Sequence, residues 1–272
     1  FDPAQLSAVL PRELPAAAFV RGYVDLRPLI EAGGPALRAI PVLRALGAAG
    51  YALGATPVEL RGTVAADTAG AGLTGIDLPL LKRAAGTRPA LPDHAPALAV
   101  ADLSALAAAA ERALRTALPV SALRLDALRA RLRAAGVALN ADLLAGPAEV
   151  IRTPRGPQLR LQPSHPAAVA QALARAARRL HGAHLRITRD GPLYVARDGK
   201  RVLLRLGLVN GSLVAGRAPA AALVALARQP LSSLHSPAVA RLPRLADWYP
   251  RPVVLALGGS TRKLRVDVFS GF

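Results

Sequence analysis

Residues 185–216 read LRITRDGPLYVARDGKRVLLRLGLVNGSLVAG, and this stretch decides the fold class. Asp190-Gly191, Asp198-Gly199 and Asn210-Gly211 separate runs rich in Ile, Val, Leu and Tyr. A tight two-residue turn needs positive φ, which Gly, Asn and Asp tolerate, so such dipeptides between β-forming runs signal hairpins. The expectation is an antiparallel meander of four strands at 185–189, 193–197, 201–208 and 212–216.

Outward from the meander, the pattern changes to helical period. Upstream, Ser164 and Pro166 open a helix with Val169, Leu173, Ala177 and Leu180 in one stripe and Arg175, Arg178 and Arg179 projecting from it. Before that, 147–163 reads as a hairpin turning at Thr153-Pro154-Arg155-Gly156. Two further helices are expected: one after Ser104 with Leu106, Ala110, Leu114 and Leu118 on a face, and one over 121–135 burying Leu125, Leu128 and Leu132. Arg124, Arg129, Arg131 and Arg133 lie on the second. Downstream, Pro219 opens a short helix ending near Arg228. A last hairpin joins 253–257 to 264–269 around Gly258-Gly259-Ser260-Thr261, and its second strand, alternating Leu264, Val266 and Val268 with Arg265 and Asp267, is expected to be buried on one face only. At the N-terminal side, 18–26 and 56–66 read as extended, with Pro28 starting a helix between them.

An internal repeat runs through this order. Tyr23-Val-Asp-Leu matches Val100-Ala-Asp-Leu at an offset of 77, Leu43-Arg-Ala-Leu-Gly matches Leu132-Arg-Ala-Ala-Gly at 89, and Leu53, Pro57 and Glu59 match Leu143, Pro147 and Glu149 at 90. Asp, Pro and Glu carry the weight in so alanine-rich a chain. The expected fold is α+β: antiparallel sheet with amphipathic helices packed on one face, built from two related strand-helix-hairpin units. The expected division is a first unit at 1–88, truncated at its N-terminal side, a second with the meander at 89–250, and a C-terminal β-hairpin at 251–272.

Composition bounds the function. The 272 residues are 52% hydrophobic and 19% charged, which excludes a disordered tail, collagen and coiled coil. Without Cys there is no disulfide, no thiolate catalysis and no Cys-ligated zinc. No run free of Asp, Glu, Lys and Arg exceeds 14 residues, short of the roughly 18 that a membrane span requires. The chain starts at Phe1 and has no Met, so a processed piece with a signal or anchor upstream is expected. Net charge is +18, and Lys occurs only at 82, 200 and 263 among 35 basic residues. That bias reflects a GC-rich genome choosing Arg codons, yet the charge still attracts polyanions.

The order of a strand ending in Asp-Leu, helices, a Gly146-Pro-Ala-Glu-Val hairpin, a helix, the meander, then Gly211-Ser-Leu-Val-Ala-Gly-Arg-Ala-Pro and an alanine-rich helix resembles a family of secreted or membrane-anchored proteins of high-GC bacteria. The family is described only as a domain of unknown function, number thirty-three fifty-two. The resemblance covers chiefly positions 15 to 230. It implies an extracytoplasmic α+β domain with an N-terminal signal or anchor, and it offers no catalytic residues.

Each candidate site has a plainer explanation. Asp25 and Asp102 sit at strand-to-helix junctions, where a carboxylate ordinarily meets the first helical amides. Glu59 and Glu149 recur after a Pro and fit exposed strand positions. His181 and His184 have a zinc-compatible spacing but no neighbouring carboxylate, and Gly182 ends their helix. Ser260 lies in a turn without a His to activate it, and the turn with Arg262 and Lys263 lacks the Walker spacing. Asn210-Gly-Ser212 matches a glycosylation acceptor but reads as a turn. No catalytic, metal or cofactor site is expected, and the chain is read as no enzyme. The arginines Arg124, Arg129, Arg131, Arg133, Arg175, Arg178 and Arg179 remain as a surface for nucleic acid, anionic lipid or acidic wall polymer, against which stands the scarcity of interleaved aromatics. The leading reading is therefore a non-enzymatic interaction or ligand-holding module of the cell envelope, extracytoplasmic, with an envelope protein or lipid as partner. Nucleic acid is the less favoured partner, and contact with a membrane comes only through a segment upstream of Phe1. A sheet backed by helices would cup a lipid.

Overall fold

The computed structural model describes residues 18–35, 46–57, 59–68, 98–134, 141–180, 186–231, 238–242, 252–260 and 263–271. Within them the chain is mainly antiparallel sheet with several helices, an α+β composition. The strands are β1 (Val20–Asp25), β2 (Ala48–Thr56), β3 (Glu59–Asp67), β4 (Leu98–Val100), β5 (Ala148–Thr153), β6 (Gly156–Leu161), β7 (Arg186–Asp190), β8 (Leu193–Asp198), β9 (Arg201–Val209), β10 (Ser212–Gly216), β11 (Ala238–Leu242), β12 (Val253–Ser260) and β13 (Lys263–Gly271). The helices are α1 (Arg27–Ala32), α2 (Leu103–Ala117), α3 (Pro119–Ala134), α4 (Pro166–Arg179) and α5 (Ala220–Arg228). The chain divides into two compact units, one holding β1–β3 with β11–β13 and the other β4–β10.

In the second unit the strands lie in the order β4-β5-β6-β10-β9-β8-β7, every neighbouring pair antiparallel. The meander forms as its turn dipeptides predict, with a shift of one residue at two corners. Asp190 pairs with Leu193 and Asp198 with Arg201, so the loops are Gly191-Pro192 and Gly199-Lys200. Only the Gly of each has positive φ, whereas at Asn210-Gly211 both do, 49° and 78°. The first pattern belongs to type II′ turns and the second to type I′. The core of this unit joins Leu193, Val209 and Val214 of the sheet to Leu223 and Ala227 of α5. Burying Leu223 completely contributes about 1.5–3 kcal/mol.

Two arginines hold the ends of α5. Arg160 of β6 donates from Nη1 to the carbonyls of Leu226 at 3.0 Å and Gln229 at 2.7 Å, and from Nη2 to Pro230 O at 3.0 Å. Leu226 O also accepts from Gln229 N at 3.3 Å, while Gln229 and Pro230 directly follow the helix, and a guanidinium at this end suits the helix dipole. Its charge is met by Glu149, directly opposite on β5, in an ion pair almost wholly buried. At the other end Arg205 of β9 donates to Arg217 O and Ala218 O at 3.1 and 3.0 Å. Helix α4 packs on β9 and β10, while α2 and α3 pack extensively on no strand among the described residues.

In the first unit the order is β1-β2-β3-β13-β12-β11, again antiparallel throughout. Strand β2 is absent from the sequence reading because Ala48–Thr56 is mostly Ala and Gly, residues of low β-propensity, and its pairing on both edges overrides that preference. The last hairpin is longer than expected. Gly258, Gly259 and Ser260 are strand residues, and Ser260 pairs with Lys263. Its alternation also reads in the opposite sense: Asp267 and Phe269 are buried while Leu264, Val266 and Val268 are only half-buried. Asp267 tolerates burial because Thr63 Oγ1 donates to it at 2.7 Å and Arg265 Nε at 3.0 Å.

Two stretches of the chain hold a strand, helix and a hairpin whose first strand pairs back on the opening strand: β1-α1-β2-β3, and β4 followed by α2, α3 and β5-β6. Asp25 ends β1 and Asp102 follows β4, and in each case the next amide, Leu26 N or Leu103 N, donates to a glycine carbonyl just ahead of the hairpin, Gly47 O at 2.8 Å or Gly146 O at 2.9 Å. The offset-90 match does not share this correspondence. Pro57 lies in the turn between β2 and β3, whereas Pro147 precedes β5.

Candidate functional site

Cross-strand partners share a face of a sheet, so the registers sort every side chain of the first unit. One face carries the rows Val20–Leu53–Gly62–Val268–Leu255 and Gly22–Tyr51–Val64–Val266–Leu257, followed by Val24–Ala49–Ala66–Leu264–Gly259. None of these fifteen residues is charged, and Tyr51 supplies the sole polar side-chain group. Arg21, Asp25, Glu59, Arg61, Lys263, Arg265 and Asp267 fall on the opposite face, which also carries the buried Ala52, Thr63, Ala65 and Ala256. On the charge-free face solvent reaches apolar side chains in the first two rows, where Val20 is 39% exposed, Tyr51 38%, Leu53 37% and Val64 40%, while Ala49 and Ala66 of the third row are buried. The Tyr51 ring lies across Gly22, where a Cβ would come within 2.3 Å of it, and so extends the apolar surface to the edge strand. A contiguous apolar area of this kind marks a surface for an apolar ligand or partner.

The seven arginines singled out from sequence fall into three groups. On α4, Arg175, Arg178 and Arg179 are all exposed, and their i, i+3, i+4 spacing gathers them on one side of the helix, which holds no Asp or Glu. At 100° per residue the helix α3 puts Arg124 on one side and Arg129 with Arg133 on nearly the opposite one, so these do not form a single patch, and the side chain of Arg131 lies outside the described ones. Arg124 and Arg133 are exposed and Arg129 is half-buried.

The carboxylates are structural. Asp25 Oδ1 accepts from Arg27 N at 3.0 Å and its carboxylate holds the Arg27 guanidinium, and these bonds, the side-chain one foremost, bring its pKa down to about 2. Asp102 Oδ1 accepts from Ser104 N at 2.9 Å, Ser104 Oγ at 2.8 Å and Gly146 N at 3.3 Å. Burial pushes its pKa up, and the hydrogen bonds from Ser104, Gly146 and Ala105 outweigh this, so it lies below the ordinary value. Glu59 and Glu149 are buried, not exposed; Arg61 Nε donates to Glu59 at 2.6 Å and Arg160 pairs with Glu149. Among the described residues no three of His, Asp and Glu come together as metal ligands. His181, His184, Arg262 and the turn at 261–262 lie outside the described residues.

Sequence reading overlooked Arg160, Arg205 and the apolar face. The alternation of Tyr51 and Leu53 with Ala and Gly was the available signal for the face. No protein-family model, curated protein or solved structure matches the chain.

Proposed function

We propose that this chain is a non-enzymatic interaction or ligand-holding module that binds an apolar ligand along the charge-free face of its first sheet. The observation that carries this reading is the exposure of Val20, Tyr51, Leu53 and Val64 on one face, continuous with half-buried Val266 and Val268. The resemblance to envelope proteins of high-GC bacteria adds an extracytoplasmic setting, with an envelope lipid or protein as the bound partner. The shared strand-helix-hairpin order, with Asp25 and Asp102 in the same role, supports an origin of the two units by duplication.

The test is titration with a fluorescent fatty acid. Saturable binding to the unaltered chain, lost in Leu53→Asp and Val64→Asp variants that keep their circular dichroism, is the expected result. Equal binding by those variants would remove the proposal.

A second reading, polyanion binding, rests on the exposed Arg175, Arg178 and Arg179 of α4. Its test is the salt dependence of binding to duplex DNA and to anionic vesicles.

A further inference from the structure

Strand β1 ends the sheet of the first unit, pairing among the described residues with β2 alone. None of its six residues is buried. Edge strands that avoid self-pairing are usually blunted by charge or proline. The edge strand of the other unit follows that rule, since Arg186, Arg189 and Asp190 make up three of the five residues of β7. β1 has no proline and only two charges, Arg21 and Asp25, of opposite sign and placed four residues apart.

We propose that β1 pairs antiparallel with β1 of a second copy, about a two-fold axis at Tyr23 that sets Arg21 of each copy opposite Asp25 of the other. Two independent features select this register. The first is hydrogen-bond phase. Leu26 N donates to Gly47 O at the end of the β1–β2 ladder, and residues in an antiparallel strand alternate in the direction of their backbone groups. Gly22 and Val24 therefore turn their backbone groups to β2, and Arg21, Tyr23 and Asp25 turn theirs to the edge. Only registers that pair odd-numbered residues with odd-numbered residues let two such edges bond, and these also keep the charge-free faces of both copies on one side. The second feature is charge. Of the two such registers with nearly full overlap, the one centred on Gly22 sets Arg21 opposite Tyr23, while the one centred on Tyr23 makes the Arg21–Asp25 contact twice, each at a carboxylate that Arg27 of its own chain also holds. The same pairing lays Val24 against Gly22 of the other copy, beneath the Tyr51 ring.

Sedimentation equilibrium tests this on the chain as it stands, whatever the apolar face binds. A reversible monomer–dimer equilibrium is expected. Arg21→Asp leaves two acidic residues to face each other and Asp25→Arg two basic ones, and either change is expected to weaken the dimer about tenfold, since two favourable cross-strand pairs become two repulsive ones. An equimolar mixture of the two variants restores both contacts and is expected to regain the dimer. Tyr23→Pro removes an amide at the axis and is expected to yield a monomer with unchanged circular dichroism. A chain monomeric at every concentration, a dimer indifferent to the Tyr23 and charge changes, or a mixture no more dimeric than its components would overturn the proposal.

Discussion

Asp25 and Asp102 show how one carboxylate organises a strand-to-helix junction. Each accepts an amide two residues ahead, and Asp102 also ties Gly146 to the start of α2. Losing such a contact costs about 0.5–2 kcal/mol, so Asp102→Ala is expected to lower the urea midpoint accordingly. The pH dependence has a definite sign. Because the folded pKa of Asp102 is depressed, its contribution is complete above the unfolded value near 4 and disappears as pH falls through the folded one. The gap between the unaltered chain and Asp102→Asn should therefore close on acidification from about pH 5, and a gap constant to pH 2 would refute that sign. Arg160 belongs to the same scale. Glu149→Ala would leave its guanidinium buried without a counter-charge, at a cost of about 3–5 kcal/mol by thermal or chemical denaturation.

Helices and hairpins differ in how openly the sequence declares them. The meander was legible because Gly191, Gly199 and Asn210-Gly211 encode their turns locally. Helix α4 was legible from Pro166 and the Val169 stripe. By contrast β2 has no local signal, and its Ala and Gly residues become strand only between β1 and β3. On α3 the expected face of Leu125, Leu128 and Leu132 is described only at Leu125, which is half-buried, and Leu118, expected on the stripe of α2, falls between α2 and α3 and is exposed. The arginines of α4 invite a prediction at this scale. A solvated helix surface binds DNA weakly and loses it by physiological salt, where screening acts over about 8 Å. That weak outcome is expected. A dedicated patch would instead keep measurable affinity, and changing Arg175, Arg178 and Arg179 together to Gln would flatten its log-log salt slope by up to about three contacts.

At the scale of the whole chain, the two faces of the first sheet are decided by contacts that no local pattern encodes. Thr63 and Asp267 are 204 positions apart in sequence and hydrogen-bonded in the fold. That bond, with Arg265, lets a carboxylate be buried while the valines and leucines of the alternate positions keep access to solvent. From sequence, the alternation of Leu264, Val266 and Val268 with Arg265 and Asp267 predicts a strand buried on one face, because hydrophobic alternation reports which residues share a face but not which face is covered. The apolar face and the functional reading built on it therefore emerge only from strand order. Methyl NMR of the chain titrated with a fatty acid tests that reading most directly. Saturable shifts confined to Val20, Leu53, Val64, Val266 and Val268, with Ala52, Ala65 and Ala256 unmoved, are predicted. Shifts centred on the three alanines, or no saturable shift at the valines and Leu53, would contradict it.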